Sequence, residues 1–256
     1  MKQVQLGQTG LFVSELGIGT GTNGWDGCSN QTQMGFERLV RLLRYAYGHG
    51  ITFWDTADMY GSHAHVAAAM KGIDRASVVI GTKTVAHSQS EAELALHRFC
   101  QELETDVLDI VLLHGLTEGN WPECYAGAME TLSRAREQGL VRAVGVSVHG
   151  LLALRAAVAS PWVEVVQVRL NCDGMLMDGT HEEVLPLVKQ LRASGKGVYA
   201  MKVLGRGALG DQAHRALRYV LDLPEVDAAV VGMMTEAEVR DNVGYSGGCV
   251  AKFHAC

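Results

Sequence analysis

Hydrophobic and polar residues follow a regular two-part pattern along the chain from residue 16 onward. Short stretches rich in Val, Ile and Leu are typical of buried strands. The longer stretches between them repeat apolar residues every three or four positions, as amphipathic helices do. Helix candidates include GFERLVRLLRYAYGHG and SEAELALHRFCQELE. The pattern predicts eight strands alternating with helices, and the strand candidates are residues 15–21, 51–57, 77–83, 108–114, 141–147, 163–171, 197–203 and 226–232.

The strand candidates contain near-continuous runs of Val, Ile and Leu, which are typical of parallel strands that are buried on both faces and joined by crossover helices. A closed (β/α)8 barrel, the TIM barrel, is the simplest fold for eight such units. An open doubly wound sheet is the alternative, but GIGTGTNG at 17–24 does not keep the GxGxxG spacing expected there. Residues 1–16 resemble a β-hairpin with a Thr-Gly turn, expected to plug the bottom of the barrel. No linker interrupts the chain, so we expect a single domain over residues 1–256.

The composition and net charge argue against several classes of binding partner. The net charge of -6, without any basic block, gives no footprint for nucleic acid or an anionic membrane. No stretch resembles a signal peptide or a membrane span, and the six cysteines form no CxxC pair, so we expect a cytoplasmic protein with reduced thiols. We expect no metal site: Cys249, His254 and Cys256 near the C-terminus are interpreted as a polar tail, because structural zinc needs four closely spaced ligands.

Ionisable residues collect at the ends of consecutive strand candidates, where barrel enzymes place their chemistry. Asp55 ends the second candidate, Tyr60 follows in its loop, and Lys83 and His114 end the third and fourth. Ser147 and His149 follow at the fifth. Each residue alone has an ordinary structural explanation, such as a helix cap or a solvated lysine. Their joint placement on neighbouring strands predicts a catalytic group.

These side chains suit proton transfer to a carbonyl oxygen. A phenol with a pKa of about 10 is a weak acid, but a nearby ammonium stabilises its phenolate, and a buried carboxylate keeps that ammonium charged. Tyr60, Lys83 and Asp55 would form this chain. His114 would donate to the same carbonyl oxygen, a contribution of ~3 kcal/mol on the scale of oxyanion-hole donors.

The motifs DTADMYG, GTKT and LLHG resemble the Asp, Tyr, Lys, His tetrad of the aldo-keto reductases. The resemblance extends over the whole chain through LGIGTG, GVS, VVQV, LGRG and GMMTEAEVRDN, and is nearest to a prokaryotic branch known as predicted oxidoreductases. It implies a (β/α)8 barrel and a nicotinamide cofactor. It also implies reduction of an aldehyde or ketone by hydride transfer, with Tyr60 as the proton donor.

The resemblance further implies a set of cofactor-binding positions. Gly19 and Thr20 match a ribose contact, and Ser147 and Gln167 match the residues that hold the carboxamide, although Val148 replaces the usual asparagine. Met201 stands where an aromatic residue commonly stacks on the nicotinamide. The remaining matches are Leu204, Gly205, Arg206 and Gly207 for the pyrophosphate, Gly232, Met234 and Glu238 for the 2′-phosphate, and Asn242 for the adenine. Lys202 is a further cofactor-binding candidate, and Arg206, Lys202 or Arg240 would serve the 2′-phosphate if Glu238 points away from it.

Cofactor choice and substrate are less defined. NADP(H) is the family default, but a carboxylate at Glu238 would repel a 2′-phosphate and could accept hydrogen bonds from a ribose diol, which favours NAD(H). The substrate is expected to be a small carbonyl compound in an open pocket, since the chain ends fourteen residues after Asn242. Trp25, Met59 and Trp121 are the candidates to line that pocket. The sequence leaves the oligomeric state open.

Two other functions remain possible on the same barrel. A Schiff-base aldolase could use Lys83 or Lys202 as its nucleophile and would need no dinucleotide. A non-catalytic sensor could bind the nicotinamide cofactor and report its redox state to a partner.

Overall fold

The N-terminal segment forms a hairpin that closes one end of a barrel. The structure is a computed structural model that describes residues 1–246. Strands β1 (Gln3–Gln5) and β2 (Phe12–Ser14) pair antiparallel. Leu6, Leu11 and Val13 are buried in one cluster with residues of the barrel interior. The predicted plug is confirmed.

Eight parallel strands then close into a barrel, which confirms the predicted fold class and excludes the open doubly wound sheet. Each strand pairs with the next along the chain, and the last pairs with the first. The strands are β3 (Leu16–Gly19), β4 (Phe53–Asp55), β5 (Val79–Thr84), β6 (Leu108–Leu116), β7 (Val141–Val148), β8 (Val165–Arg169), β9 (Gly197–Met201) and β10 (Ala228–Gly232).

Helices follow the barrel strands and cover the outside of the barrel. A short extra helix, α4, precedes the main helix after β6. None of the helices among residues 1–246 is both long enough and apolar enough to cross a membrane. The helices are α1 (Phe36–Gly48), α2 (His63–Met70), α3 (Gln89–Glu102), α4 (Trp121–Cys124), α5 (Ala126–Glu137), α6 (Leu151–Ala159), α7 (His181–Ala193), α8 (Ala213–Leu221) and α9 (Glu236–Ser246).

The alternation of side chains along β4 determines the direction in which the carboxylate of Asp55 points. Successive residues of a strand point to opposite faces. Phe53 belongs to the cluster inside the barrel and Trp54 to the layer between strands and helices. Asp55 therefore points inward like Phe53, one level closer to the upper mouth, where the strands end.

Candidate active site

Lys83 and Asp55 form a buried ion pair at the top of the barrel interior. The Lys83 ammonium donates to Asp55 Oδ1 at 2.7 Å and to the carbonyl oxygen of Thr56 at 2.8 Å. Burial alone would lower the pKa of Lys83, but Asp55 and Tyr60 raise it above its ordinary value. The lysine is therefore a fixed cation, as the sequence predicted.

Tyr60 lies between this ion pair and His114. It is the last residue of a short 3-10 turn, Asp58–Tyr60, which ends at Gly61 with a left-handed φ of 63°. The Tyr60 hydroxyl lies 3.3 Å from His114 Nε2, and the Lys83 ammonium lies 5.0 Å from the centroid of the phenol ring. Burial raises the pKa of Tyr60, and the nearby Lys83 offsets part of that rise. The phenol therefore carries its proton at neutral pH.

His114 is a neutral imidazole in this site. Burial lowers its pKa well below the usual value, and the positive charges of Lys83 and Lys202, with His149 nearby, add to the effect. His114 Nδ1 has no hydrogen-bond partner within residues 1–246. With Tyr60, it presents two neutral hydrogen-bonding groups beside one fixed cation. The structure thus brings together the four residues that the sequence proposed as catalytic.

The second oxygen of Asp55 connects this group to two further strands. Asp55 Oδ2 accepts from Gln167 Nε2 at 3.1 Å and from the Tyr199 hydroxyl at 3.0 Å. Ser147 Oγ donates to Gln167 Oε1 at 2.8 Å. The sequence analysis did not identify Tyr199. Its signal was available, because an inward-facing tyrosine in a buried strand needs a partner for its hydroxyl.

A cavity of about 440 Å³ opens beside Tyr60 and Asp55. It runs from the end of β3 past the ends of β8, β9 and β10. Most of the predicted cofactor-binding residues line it, namely Gly19, Gln167, Met201, Lys202, Leu204, Arg206, Gly207, Gly232, Met234, Glu238 and Asn242. Thr22 and Gln31, which were not predicted, line it as well.

Thr20, Ser147 and Gly205 do not line the cavity. All three are buried, and the Thr20 hydroxyl donates to the carbonyl oxygen of Asp55 at 3.1 Å and lies 2.7 Å from Ser62 Oγ. The described contacts engage the Thr20 hydroxyl inside the protein, so the cavity lining gives no support to the predicted ribose contact of its side chain.

The turn after β9 brings two cations to the cavity. Lys202 and Arg206 both have positive φ, 58° and 59°, which turns the chain sharply beside the cavity. Neither side chain forms an ion pair within residues 1–246, unlike Lys83 and Arg169. Burial, together with Arg206 and Lys83, lowers the pKa of Lys202 to about 8. Two positive charges that lack a counterion in the described part of the chain fit the pyrophosphate of a dinucleotide.

Glu238 occupies the first turn of α9 and borders the same cavity. Its carboxylate accepts from the backbone N–H of Met234 at 2.8 Å, and its own N–H donates to Thr235 Oγ1 at 3.2 Å. A helix N-terminus of this kind binds anions, including phosphate. Glu238 therefore places a negative charge where a phosphate would otherwise be favoured.

The three candidates for the substrate pocket differ in position. Trp25 is 54% exposed, and its ring centroid lies 6.1 Å from that of His114. Met59 is half-buried in the turn that carries Tyr60. Trp121 is only 1% exposed, and its indole N–H donates to the carbonyl oxygen of Ala153. The prediction for Trp121 is wrong, because its ring fills the packing between helices and the barrel.

Metal ligation finds no support in the described part of the chain. Residues 1–246 contain no group of three or more His, Cys, Asp or Glu side chains that could hold a metal ion. Cys249, His254 and Cys256, which were interpreted as part of a polar tail, lie outside the described residues.

Comparisons with known proteins agree with this geometry. The model of the Aldo/keto reductase family matches residues 15–215. A solved aldo-keto reductase from Pseudomonas aeruginosa is 25% identical, with a TM-score of 0.80 over 95% of this chain and 94% of that one. Methylglyoxal reductase DkgA of Yersinia pestis is 22% identical over 91% of this chain and 83% of its own length.

Probable aldo-keto reductase 1 of Glycine max is 29% identical over 82% of this chain. The chain spans 61% of the length of that relative. The family match covers most of the barrel, including the segments that carry Asp55, Tyr60, Lys83 and His114. The chain therefore belongs to the aldo/keto reductase family and is an oxidoreductase.

Proposed function

We propose that this enzyme reduces an aldehyde or ketone to an alcohol, with Tyr60 as the proton donor and a nicotinamide cofactor in the cavity. One observation carries the proposal: the Tyr60 hydroxyl lies 3.3 Å from His114 Nε2, beside the Lys83–Asp55 pair, at the wall of that cavity. Membership of the family supports carbonyl reduction by an oxidoreductase in general terms. The reduced cofactor, when bound, supplies the hydride to the carbonyl carbon.

Each residue of the group has a separate role in this reaction. Tyr60 holds its proton until negative charge develops on the carbonyl oxygen, and then transfers that proton from its hydroxyl to the oxygen. His114, as a neutral imidazole, donates a hydrogen bond to the same oxygen. The Lys83 ammonium stabilises the phenolate left on Tyr60, and Asp55 keeps that ammonium charged and in place.

The cavity residues would hold the cofactor along its length. Gln167, which is held by hydrogen bonds to Ser147 and Asp55, would contact the nicotinamide. Lys202 and Arg206, which form no ion pair within residues 1–246, would bind the pyrophosphate, and Asn242, which lines the same cavity, would contact the adenine.

We propose that the enzyme does not prefer NADPH over NADH. The carboxylate of Glu238 borders the cavity at the start of α9, and the sequence resemblance aligns this residue with the family's 2′-phosphate site. Two like charges about 4 Å apart repel by about 1 to 4 kcal/mol, depending on how far solvent screens them. The hydroxyl groups of a ribose diol would instead donate hydrogen bonds to the Glu238 carboxylate.

Activated aldehydes and 1,2-dicarbonyl compounds are the proposed substrates. The Yersinia pestis relative is named for methylglyoxal, a small 1,2-dicarbonyl. Trp25 offers an exposed aromatic surface next to His114 for such a molecule.

A Schiff-base aldolase is the second candidate, because Lys202 has a pKa of about 8 and borders the cavity. A lysine of lowered pKa can attack a carbonyl as the free amine. Lys83 is unsuitable for this role, since it is fully buried, paired with Asp55 and has a raised pKa. Borohydride in the presence of a carbonyl substrate would trap Lys202 covalently if this candidate were correct.

Titration of the purified protein with NADH and NADPH, followed by a panel of carbonyl substrates, tests the proposal. We expect binding of a reduced cofactor and its oxidation in the presence of an activated aldehyde or a 1,2-dicarbonyl. Tyr60→Phe should remove nearly all of this rate and leave the cofactor Kd close to wild type, because only the hydroxyl that donates the proton is removed. A Tyr60→Phe enzyme with half the wild-type rate would show that another group is the acid. Tight cofactor binding without turnover across the panel would favour a sensor.

A further inference from the structure

The glycine-rich segment after β3 lies directly against the ring of Tyr60. A Cβ atom at Gly21 would be 2.1 Å from Tyr60 Cε2, and one at Gly24 would be 2.4 Å from Tyr60 Cδ1. Gly21 thus contacts the Cδ2–Cε2 side of the ring and Gly24 the Cδ1–Cε1 side. These distances leave no room for any other residue type without moving the phenol or the loop.

The segment is anchored at several points. Its residue Thr22 donates its backbone N–H to Gln31 Oε1 at 2.9 Å, and Ser29 Oγ donates to the carbonyl oxygen of Thr20 at 2.6 Å. Farther along the loop, the Gly27 N–H donates to the carbonyl oxygen of Met59, next to Tyr60, at 3.0 Å. The loop therefore forms a fixed wall rather than a mobile cover.

We infer that Gly21 and Gly24 are positioning residues for the reaction, because their bare backbone fixes where the Tyr60 hydroxyl can lie relative to His114 and the substrate oxygen. Lys83 and His114 approach the phenol from the barrel interior. These two residues determine the ionisation of the Tyr60 phenol and the hydrogen-bond partner of its hydroxyl, but they do not stop the ring from shifting sideways. The two glycines supply that constraint. This inference rests on the proposed role of Tyr60 as proton donor.

Gly24→Ala is the cleaner variant, since Gly24, unlike Gly21, does not line the cofactor cavity. The added methyl must move from 2.4 Å to at least 3.4 Å from the ring, so the phenol or the loop shifts by about 1 Å. A misplacement of that size can reduce a rate by about a hundredfold, so we expect kcat to fall about ten- to a hundredfold. The carbonyl KM and the cofactor Kd should remain close to wild type.

Gly48→Ala is the matched control. Gly48 is the last residue of α1, has no positive φ, and a Cβ there would meet no atom within 4 Å. This variant should keep the wild-type kcat. Gly21→Ala should lower kcat like Gly24→Ala, but it can also weaken cofactor binding because Gly21 borders the cavity.

A double-mutant cycle with Tyr60→Phe separates positioning from general damage to the fold. If Gly24 acts through the phenol, Gly24→Ala should leave the residual rate of Tyr60→Phe unchanged. An equal loss in both backgrounds, or a full kcat in Gly24→Ala, would overturn the inference. Should Gly24→Ala not fold, Ser29→Ala loosens the same wall without added bulk. We expect it to lower kcat at an unchanged KM, and a wild-type kcat there would also overturn the inference.

The outcomes distinguish this inference from the proposed function. A Tyr60→Phe enzyme that keeps most of its rate would remove the proposed function and the inference together. An inactive Tyr60→Phe beside a fully active Gly24→Ala would remove the inference alone.

Discussion

Lys83 and Asp55 meet at 2.7 Å in the barrel interior, where Lys83 is fully buried and Asp55 is only 4% exposed. Neither charge could remain there alone, since an unpaired ion in such surroundings loses its hydration without compensation. The Asp55 carboxylate also accepts hydrogen bonds from Gln167 and Tyr199, and the Lys83 ammonium also donates to the carbonyl oxygen of Thr56. The ion pair is thus the centre of a hydrogen-bonded group that spans strands β4, β5, β8 and β9.

Removal of one partner should be costly for the fold. Lys83→Met leaves Asp55 buried without its counterion, and we expect a loss of about 3–5 kcal/mol in the free energy of unfolding. The double variant Asp55→Asn/Lys83→Met leaves no buried charge and should recover much of that loss. Urea unfolding of the three proteins measures both effects. Equal stability of Lys83→Met and wild type would show that solvent reaches the pair.

Tyr199→Phe should affect both stability and catalysis. It removes one donor from Asp55 Oδ2, while Gln167 still donates to the same oxygen. We expect a loss of about 1 kcal/mol in stability and a lower kcat without change in the cofactor Kd, because the ion pair becomes less fixed. Tyr47→Phe, whose hydroxyl lies 3.0 Å from Ser77 Oγ, is the control and should change stability alone. An unchanged kcat in Tyr199→Phe would limit this bond to stability.

Glu238→Arg should change cofactor selectivity. The substitution replaces a repulsion of the 2′-phosphate by an attraction, so the ratio of NADPH to NADH affinity should rise roughly ten- to a hundredfold, or about 1.4 to 3 kcal/mol. Dissociation constants for both cofactors in wild type and variant measure it. Glu236→Arg makes the same charge change in the same turn of α9, away from the cavity lining, and should shift the ratio much less. A wild type that already prefers NADPH strongly, with Glu238→Arg unchanged, would place the 2′-phosphate elsewhere.

His149 should make the protein less stable in acid. Burial, with Arg169, Lys202 and other nearby cations, lowers the pKa of His149 to about 3 from its usual value near 6.5. A histidine with a depressed pKa in the folded state contributes stability above the unfolded value, and this stability is lost as the pH falls towards the folded value. Between about pH 6.5 and 3, the Tm of His149→Gln should therefore fall less steeply than that of wild type. The exposed His97→Gln serves as control, and parallel curves for His149→Gln and wild type would contradict the expectation.

The sequence was sufficient to predict the barrel and the proximity of Asp55, Tyr60, Lys83 and His114, because both depend on local signals. The apolar strands and their order predict a parallel barrel, and Asp55, Lys83 and His114 lie at strand ends that the barrel must bring together. Tyr199 was missed because its partner Asp55 lies 144 positions away, and only the closed barrel brings the two into contact.

The incorrect assignment of Trp121 and the failure to identify Gly21 and Gly24 have a similar cause. Trp121 was assigned to the substrate pocket, although a tryptophan with an apolar ring and one polar N–H fits either a pocket or a core. Its burial is decided by α4, a one-turn helix without a clear periodic signal. The role of Gly21 and Gly24 depends on close approach to a ring more than thirty positions away, which glycine spacing alone does not indicate.

The hairpin at the foot of the barrel determines how protons reach the reacting groups. Leu6, Leu11 and Val13 seal that end, so the phenol of Tyr60 exchanges with water from the upper mouth. In the proposed reaction, the phenolate left on Tyr60 would regain its proton from water at the upper mouth, the same end by which the product alcohol would leave. Reprotonation of the acid and release of the product would then share one end of the barrel, and a bulky alcohol that stays there would delay both.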